Sequence, residues 1–394
     1  MSERDRDSAR GAPPFVLIGN PVNRRVTLFQ DALAAQGMPA AHVIPWLTLL
    51  EPGAPAALLD ALPSAPAIVR IDSAGEDDEV EHALLRRGEA PARAEGYAAI
   101  SAAELARTPR EVGRIVHPRQ HHLGFVAVLD ELAAVFATRP AWRIVQPPAA
   151  IARLFDKRVT SARWGALGIP VPEPLPGGPV LAVDDLRARM RTAGWPQVFV
   201  KVASASSASC LAIFTHDATG EHALTTVEDT GRARYNTRKL QHLTARRGLD
   251  RLLGFLLAEG AQVERAIPKA RDGGTGDGDY FDLRVVTIDG VAAFVVMRAA
   301  PHPITNLHLG GRRGDVEALR ARVPPAAWDA AMASCVHVQQ DSGAFHVGVD
   351  LMFEPALRAH RILEGNAFGD LLPNLTRDGL DVFGWQIDRL RRAS

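Results

Sequence analysis

In FHVGVDLMF (345–353), Phe345, Val347, Val349, Leu351 and Phe353 are apolar, so strand alternation puts His346, Gly348, Asp350 and Met352 on the opposite face. In HRILEGNAF (360–368), Glu364 and Asn366 are two residues apart, hence on one face and about 7 Å apart along a strand. Two carboxylates and an amide oxygen on neighbouring strands are hard ligands. They suit Mg²⁺, or Mn²⁺, that keeps coordination sites for substrate phosphates. The plainer alternative is a polar strand face with solvated acids. Lysine is the second chemical signal. Of 45 Lys and Arg residues only four are lysine: Lys157, Lys201, Lys239 and Lys269. Codon bias toward arginine explains the scarcity, and a lysine that persists against it invites a reason. Lys201 ends an apolar run and precedes ASASSAS, where Ser206 and Ser207 sit. Small residues let backbone N–H groups reach phosphate oxygens, serine hydroxyls add donors, and lysine supplies a compact charge. A solvated strand-end lysine before a flexible serine loop is the alternative.

The elements that must position these groups are legible from periodicity. FVLIG (15–19), AHVIPW (41–46) and AIVRID (67–72) read as strands. Between the first two, Val26, Phe29, Leu33 and Ala34 recur at helical spacing and Gly37 is a stop signal. Strands alternating with helices predict a parallel sheet covered by helices. Residues 114–137 add a strong helix, 181–196 a further helix, and 197–204 a strand. YFDLRVVTIDGVAAFVVMR (280–298) is a hairpin around Asp289-Gly290, a type I′ signal. An ideal two-residue turn pairs Arg284 with Val295 and sends Arg298 to the opposite face.

Basic and acidic residues number 45 each, so the formal net charge is zero. That argues against the broad phosphate-neutralising surface of a nucleic-acid binder. No run of 18 apolar residues marks a membrane helix. Cys210 and Cys335 make no disulfide framework and fit a reducing cytoplasm; Cys210 reads as a packing residue. The polar segment 1–14 reads as a disordered leader.

Taken together and in this order, the segments resemble the ATP-grasp superfamily over roughly residues 142–373. LFDKRVTSARWGALGIPVPEP carries Lys157 where that family has its first nucleotide lysine. VFVKVASASSA resembles its second lysine strand and phosphate-covering loop, VERAIPK its adenine hinge, and GVDLMF with ILEGNAFGD its metal strands. FDLRVVTIDGVAAFVVMR with ITNLHLGG is similar to the branch of the glutamate ligase of ribosomal protein S6 and glutathione synthetase. The resemblance implies an α/β (α+β) ATP-grasp fold. An N-terminal Rossmann-like pre-ATP-grasp domain would span 15–150, a lid subdomain 151–260, and a C-terminal antiparallel-sheet subdomain with the metal site 261–394. One departure is visible: the covering loop has serines where relatives have glycines, and serine is strained at positive φ.

The resemblance also implies roles. ATP would be held by Lys157 and Lys201 at its phosphates, and by Glu264 and the backbone from Arg265 to Ile267 at adenine and ribose. Asp350, Glu364 and Asn366 would hold Mg²⁺, and Arg284 and Asn306 would face the transferred phosphoryl group. Arg298 resembles a second family arginine, in conflict with its expected face. Lys269, after the hinge, would reach ribose or solvent. The implied activity is an ATP-dependent carboxylate–amine ligase working through an acyl phosphate. A kinase, or a nucleotide-binding protein without turnover, are the other readings. The substrate would be an amino acid, a peptide or a small acid. In open α/β sheets ligands sit beyond the carboxyl ends of strands, which nominates Arg24, Arg25, Arg70 and Arg119. Arg312 is a further candidate. The basic segment 232–251 reads either as a clamp, with Tyr235, Asn236 and Arg238 pointing inward, or as a solvated basic helix face. Oligomeric state, a homodimer included, stays open.

Overall fold

The apolar runs at the start of the chain need cover on both sides, and helices supply it. The computed structural model describes residues 13–60, 62, 65–205, 208–273 and 277–392. The expected leader therefore lies almost wholly outside the described residues. Strands β1 (Phe15–Ile18), β2 (His42–Ile44), β3 (Ala67–Ile71) and β4 (Trp142–Ile144) form a parallel sheet of order β2-β1-β3-β4. On one face Ile18, Val69 and Ile71 join Val80, Leu84 and Phe125 from helices Asp78–Arg87 and Pro118–Ala137. On the other, Phe15, Leu17 and Ile68 meet Phe29 and Leu33 of helix Arg24–Ala35 and Phe383 and Ile387 of the C-terminal helix Val382–Arg392. The two helices of the first face pack closely because position 124 is glycine. A Cβ there would stand 2.0 Å from the Leu84 carbonyl oxygen.

The second sheet is antiparallel: β5 (Gln197–Val202), β6 (Leu211–Asp217), β7 (Gly220–Asp229), β8 (Arg234–Leu243) and β9 (Ala261–Arg265), in the order β8-β7-β6-β5-β9. Val198, Val200 and Val202 bury one face against Leu186 and Met190 of helix Val183–Ala193 and Leu252 and Leu256 of helix Arg246–Ala258. Period-2 alternation leaves Phe199 and Lys201 on the other face.

The third sheet contains β10 (Tyr280–Ile288), β11 (Val291–Ala300), β12 (Arg312–Arg313), β13 (His346–Phe353) and β14 (His360–Asn366), in the order β12-β11-β10-β13-β14. Helix Pro325–Ser342 covers its back. The Asp289-Gly290 turn has positive φ at both residues, 49° and 76°, as a type I′ turn requires. The hairpin then departs from the ideal. Thr287 pairs with Ala292 but Val286 pairs with Phe294, so Ala293 is bulged out. Beyond it Arg284 pairs with Val296 and Asp282 with Arg298. That one-residue slip brings Arg298 to the face of Arg284, which corrects the expectation from an ideal turn. Among the described residues no helix is long and apolar enough to cross a membrane.

Candidate active site

A cleft of about 880 Å³ opens between the second and third sheets and reaches the loop after β1. Its third-sheet wall is one continuous strand face. Arg284 is opposite Asp350, Asp350 is opposite Glu364, and Gly348 is opposite Asn366. The even-numbered phase read from the sequence therefore puts all four in line. Asp350 is buried and ion-paired with Arg284 and, at 3.1 Å, with Arg298. Burial alone would raise its carboxyl pKa; the two guanidiniums outweigh that and hold it well below the usual carboxylate range. Arg298 also donates to Asp282 (2.7 Å), and Arg284 to Asp370 (3.0 Å). Asn366 donates its amide N–H to the Gly348 carbonyl (3.0 Å), which leaves its Oδ1 as the atom that could face a cation. Two carboxylates and that oxygen on adjoining strands fit a hard divalent cation.

The opposite wall carries the lysines. Lys201 faces the cleft and pairs with buried Glu264, its diagonal neighbour across β5 and β9. Glu264 also accepts from Gln262 (2.9 Å). Lys157, in the first turn of helix Lys157–Ala166, donates to the Ala205 carbonyl in the loop after β5 and lies 3.3 Å from Glu364. It thus spans the two walls. The backbone from Arg265 to Ile267 lines the same space, as does Asn306, whose Oδ1 accepts from the His308 N–H at 2.8 Å.

No protein-family model and no curated protein matches the chain. Solved structures do. The ATP-grasp ligase PsnB complexed with a minimal precursor is 15% identical, with a TM-score of 0.53, over 97% of this chain and 100% of that one. The D-cycloserine synthetase DcsG is 16% identical, with a TM-score of 0.50, over 95% of this chain and 99% of that one. The macrocyclase MdnC bound with its precursor peptide MdnA, from Microcystis aeruginosa, is 14% identical, with a TM-score of 0.50, over 96% and 100%. The chain has the ATP-grasp fold. The parallel sheet and the two antiparallel sheets are the α/β arrangement expected from the sequence.

The ATP-grasp cleft brings together Lys157, Lys201, Glu264, Arg265, Ile267, Arg284, Arg298, Asn306, Asp350, Glu364 and Asn366. Of the substrate candidates it includes Arg24 and Arg25. Ser206 and Ser207 lie outside the described residues. Their neighbours Ala208 (φ 58°) and Cys210 (φ 51°) take the left-handed backbone that glycine adopts freely. Cys210 is buried, its thiol pushed up to about 12 by burial, which suits a packing residue.

Five candidates are corrected. Arg70 is buried against Phe29 and Phe383, pairs with Asp72 (3.0 Å) and donates to Gln386; the C-terminal helix covers its face of the parallel sheet. Arg119 is buried between Asp156 (3.3 Å), Glu95 (2.8 Å) and the Tyr97 ring. Tyr235 donates to Glu111 (2.6 Å), away from the cleft. Arg238 is exposed on β8, at the sheet edge. Arg312 pairs with Asp272 and Asp279, while its neighbour Arg313 lines the cleft. The basic segment is a strand followed by a helix, and Asn236 alone of its three candidates turns toward the covering loop, where its Oδ1 accepts from the Cys210 N–H (3.0 Å). Lys269 lines the cleft but is not a free, solvated cation. It is buried, donates to Thr305 (2.7 Å) and the Pro303 carbonyl, and burial lowers its ammonium pKa against the pull of Asp282. Asp282 was missed, although its period-2 spacing from Arg284 marks it; Asp370 and Arg313 had no such signal.

Proposed function

We propose that this protein is an ATP-dependent carboxylate–amine ligase. A substrate carboxylate oxygen attacks the γ-phosphorus of ATP and ADP departs, leaving an acyl phosphate. An amine then attacks the acyl carbon, phosphate leaves, and the amine loses its proton. The observation that carries this reading is the facing of two walls: Lys157, Lys201 and Glu264 on one side, Arg284, Arg298, Asp350, Glu364 and Asn366 on the other. Such a cleft does little covalent chemistry itself and works by positioning and charge neutralisation. Lys157 and Lys201 bind the phosphates. Glu264 and the backbone of residues 265–267 orient adenine and ribose. Arg284 and Asn306 face the phosphoryl group in transfer. Asp350, Glu364 and Asn366 would hold Mg²⁺, which supplies charge neutralisation at the phosphate oxygens. Residues around 180–255 act as a lid that excludes water from the acyl phosphate.

Two structural neighbours are complexed with precursor peptides, which supports a peptide as one substrate; the third is named for a small product, which keeps amino acids in view. The test is incubation with ATP, Mg²⁺, a panel of acids and peptides, and hydroxylamine. The expected result is a hydroxamate formed in step with ADP. A stable phosphorylated acceptor formed without any amine would instead make the protein a kinase.

A further inference from the structure

The cleft is far from neutral in a chain whose net charge is zero. Among its described lining residues, ten cationic side chains face six carboxylates. Lysines at the nucleotide and arginines already tied to Asp282, Asp350 and Asp370 account for part of the excess. Arg24, Arg25 and Arg313 are different. Arg24 and Arg313 make no ion pair among the described residues, and Arg25 has only Asp72 at 3.8 Å. Arg25 donates instead to the Phe368 carbonyl and Arg313 to the Pro373 carbonyl, each at 2.8 Å. A neutral carbonyl leaves most of a guanidinium's charge uncompensated, and a bidentate anion is the better partner.

Their placement is specific. Arg313 is the cross-strand partner of Arg298, so the two guanidiniums share a sheet face beside the reaction centre. Arg25 grips the residue next to Gly369, the carbonyl that Arg284 contacts at 3.4 Å. The segment from Phe368 to Pro373 is therefore a strap held by arginines on both sides of Arg284. Arg24 and Arg25 also stand in the first turn of a helix with no acidic residue there. Cations are unfavourable at that end of the helix dipole, and an anion is favourable.

Resting on the ligase reading, we infer that one reactant carries a second anionic group, a carboxylate or a phosphate, besides the carboxylate that is activated. Arg24 and Arg25 take it from the parallel-sheet side and Arg313 from the third sheet, so the site selects dianionic over monoanionic acids. The probes are α,ω-dicarboxylates from succinate to pimelate, inorganic phosphate and matched monocarboxylates. Their binding is measured by calorimetry on the full chain, with ADP titrated separately. We expect a dianion to bind at least tenfold more tightly than the monocarboxylate of the same length. The R24Q/R313Q double variant removes that preference while ADP affinity stays within twofold, and because both arginines are exposed the variant melts as wild type does. Phosphate binding above every dicarboxylate assigns the group as a phosphate, and the reverse order as a carboxylate. Equal binding of mono- and dianions, or a preference unchanged in the variant, overturns the inference. Failure of ADP to bind wild type would instead remove the ligase reading.

Discussion

Asp350 is where stability and chemistry meet, and Asp350→Asn separates them. Asp350 compensates two buried guanidiniums, Arg284 and Arg298; its side chain is 8% exposed, as is that of Arg298. Removing one partner of a buried ion pair costs about 3–5 kcal/mol, because the other charge stays buried. Here each arginine keeps a second carboxylate, Asp370 for Arg284 and Asp282 for Arg298, so the lower part of that range applies and we expect about 3–4 kcal/mol. For a unit of 150–250 residues this is a fall of roughly 6–16 °C in Tm, followed by tryptophan fluorescence. The pH dependence gives the sharper test. The Asp350 carboxyl is held below its unfolded value, so its contribution is complete above about pH 4 and fades as pH falls toward the depressed folded value. The gap between wild type and D350N must therefore narrow below about pH 4. A variant as stable as wild type at pH 7, or a gap constant from pH 7 to pH 3, would refute the account of Asp350 as the shared counter-charge.

Three further expectations follow from the same geometry. Lys201→Met removes the cation paired with Glu264 and should weaken ADP binding by about 10- to 100-fold, the size of one charged hydrogen bond; calorimetry with an unchanged affinity would exclude Lys201 from the phosphate site. Arg70→Leu leaves Asp72 buried without its guanidinium and should cost about 3–5 kcal/mol in chemical denaturation, while the substrate KM of the folded fraction stays at the wild-type value. Ala208→Gly relieves a left-handed φ beside the covering loop and should stabilise that segment by about 1 kcal/mol, read as stronger hydrogen-exchange protection between Ala203 and Cys210.

Much of the cleft was legible because its residues lie on strands with one dry face. FHVGVDLMF has a single phase that buries its odd positions, so Asp350 could only face the other way, and Glu364 and Asn366 followed from the same rule. Arg70 shows the limit. The alternation along β3 separates Arg70 from Val69 and Ile71, but nothing local says that Phe383, more than three hundred residues later, closes over it. Arg119 failed for a similar reason: its partners come from residue 95, residue 97 and the cap of another helix, Asp156. Arg312 and Arg313 are adjacent on a two-residue strand, and only the pairing of Arg313 with Arg298 decides which one enters the cleft.

The bulge at Ala293 makes the hairpin a two-phase device. Its turn-proximal pairs obey one parity and its cleft-side pairs the other, so its length in residues, and not only its composition, is under constraint. If the bulge were ironed out with every residue kept, Val286 would pair with Ala293 and every later residue of β11 would turn over to the other face. Arg298 would swing to the back of the sheet, toward helix Pro325–Ser342, and Met297 or Ala299 would take its place beside Asp350. Deletion of Ala293 itself would leave the pairs Val286–Phe294, Arg284–Val296 and Asp282–Arg298 in place and keep Arg298 beside Asp350, whereas a single-codon deletion between Phe294 and Arg298, with the bulge kept, would rewrite the electrostatics of the cleft while leaving the hydrophobic composition of the hairpin almost intact.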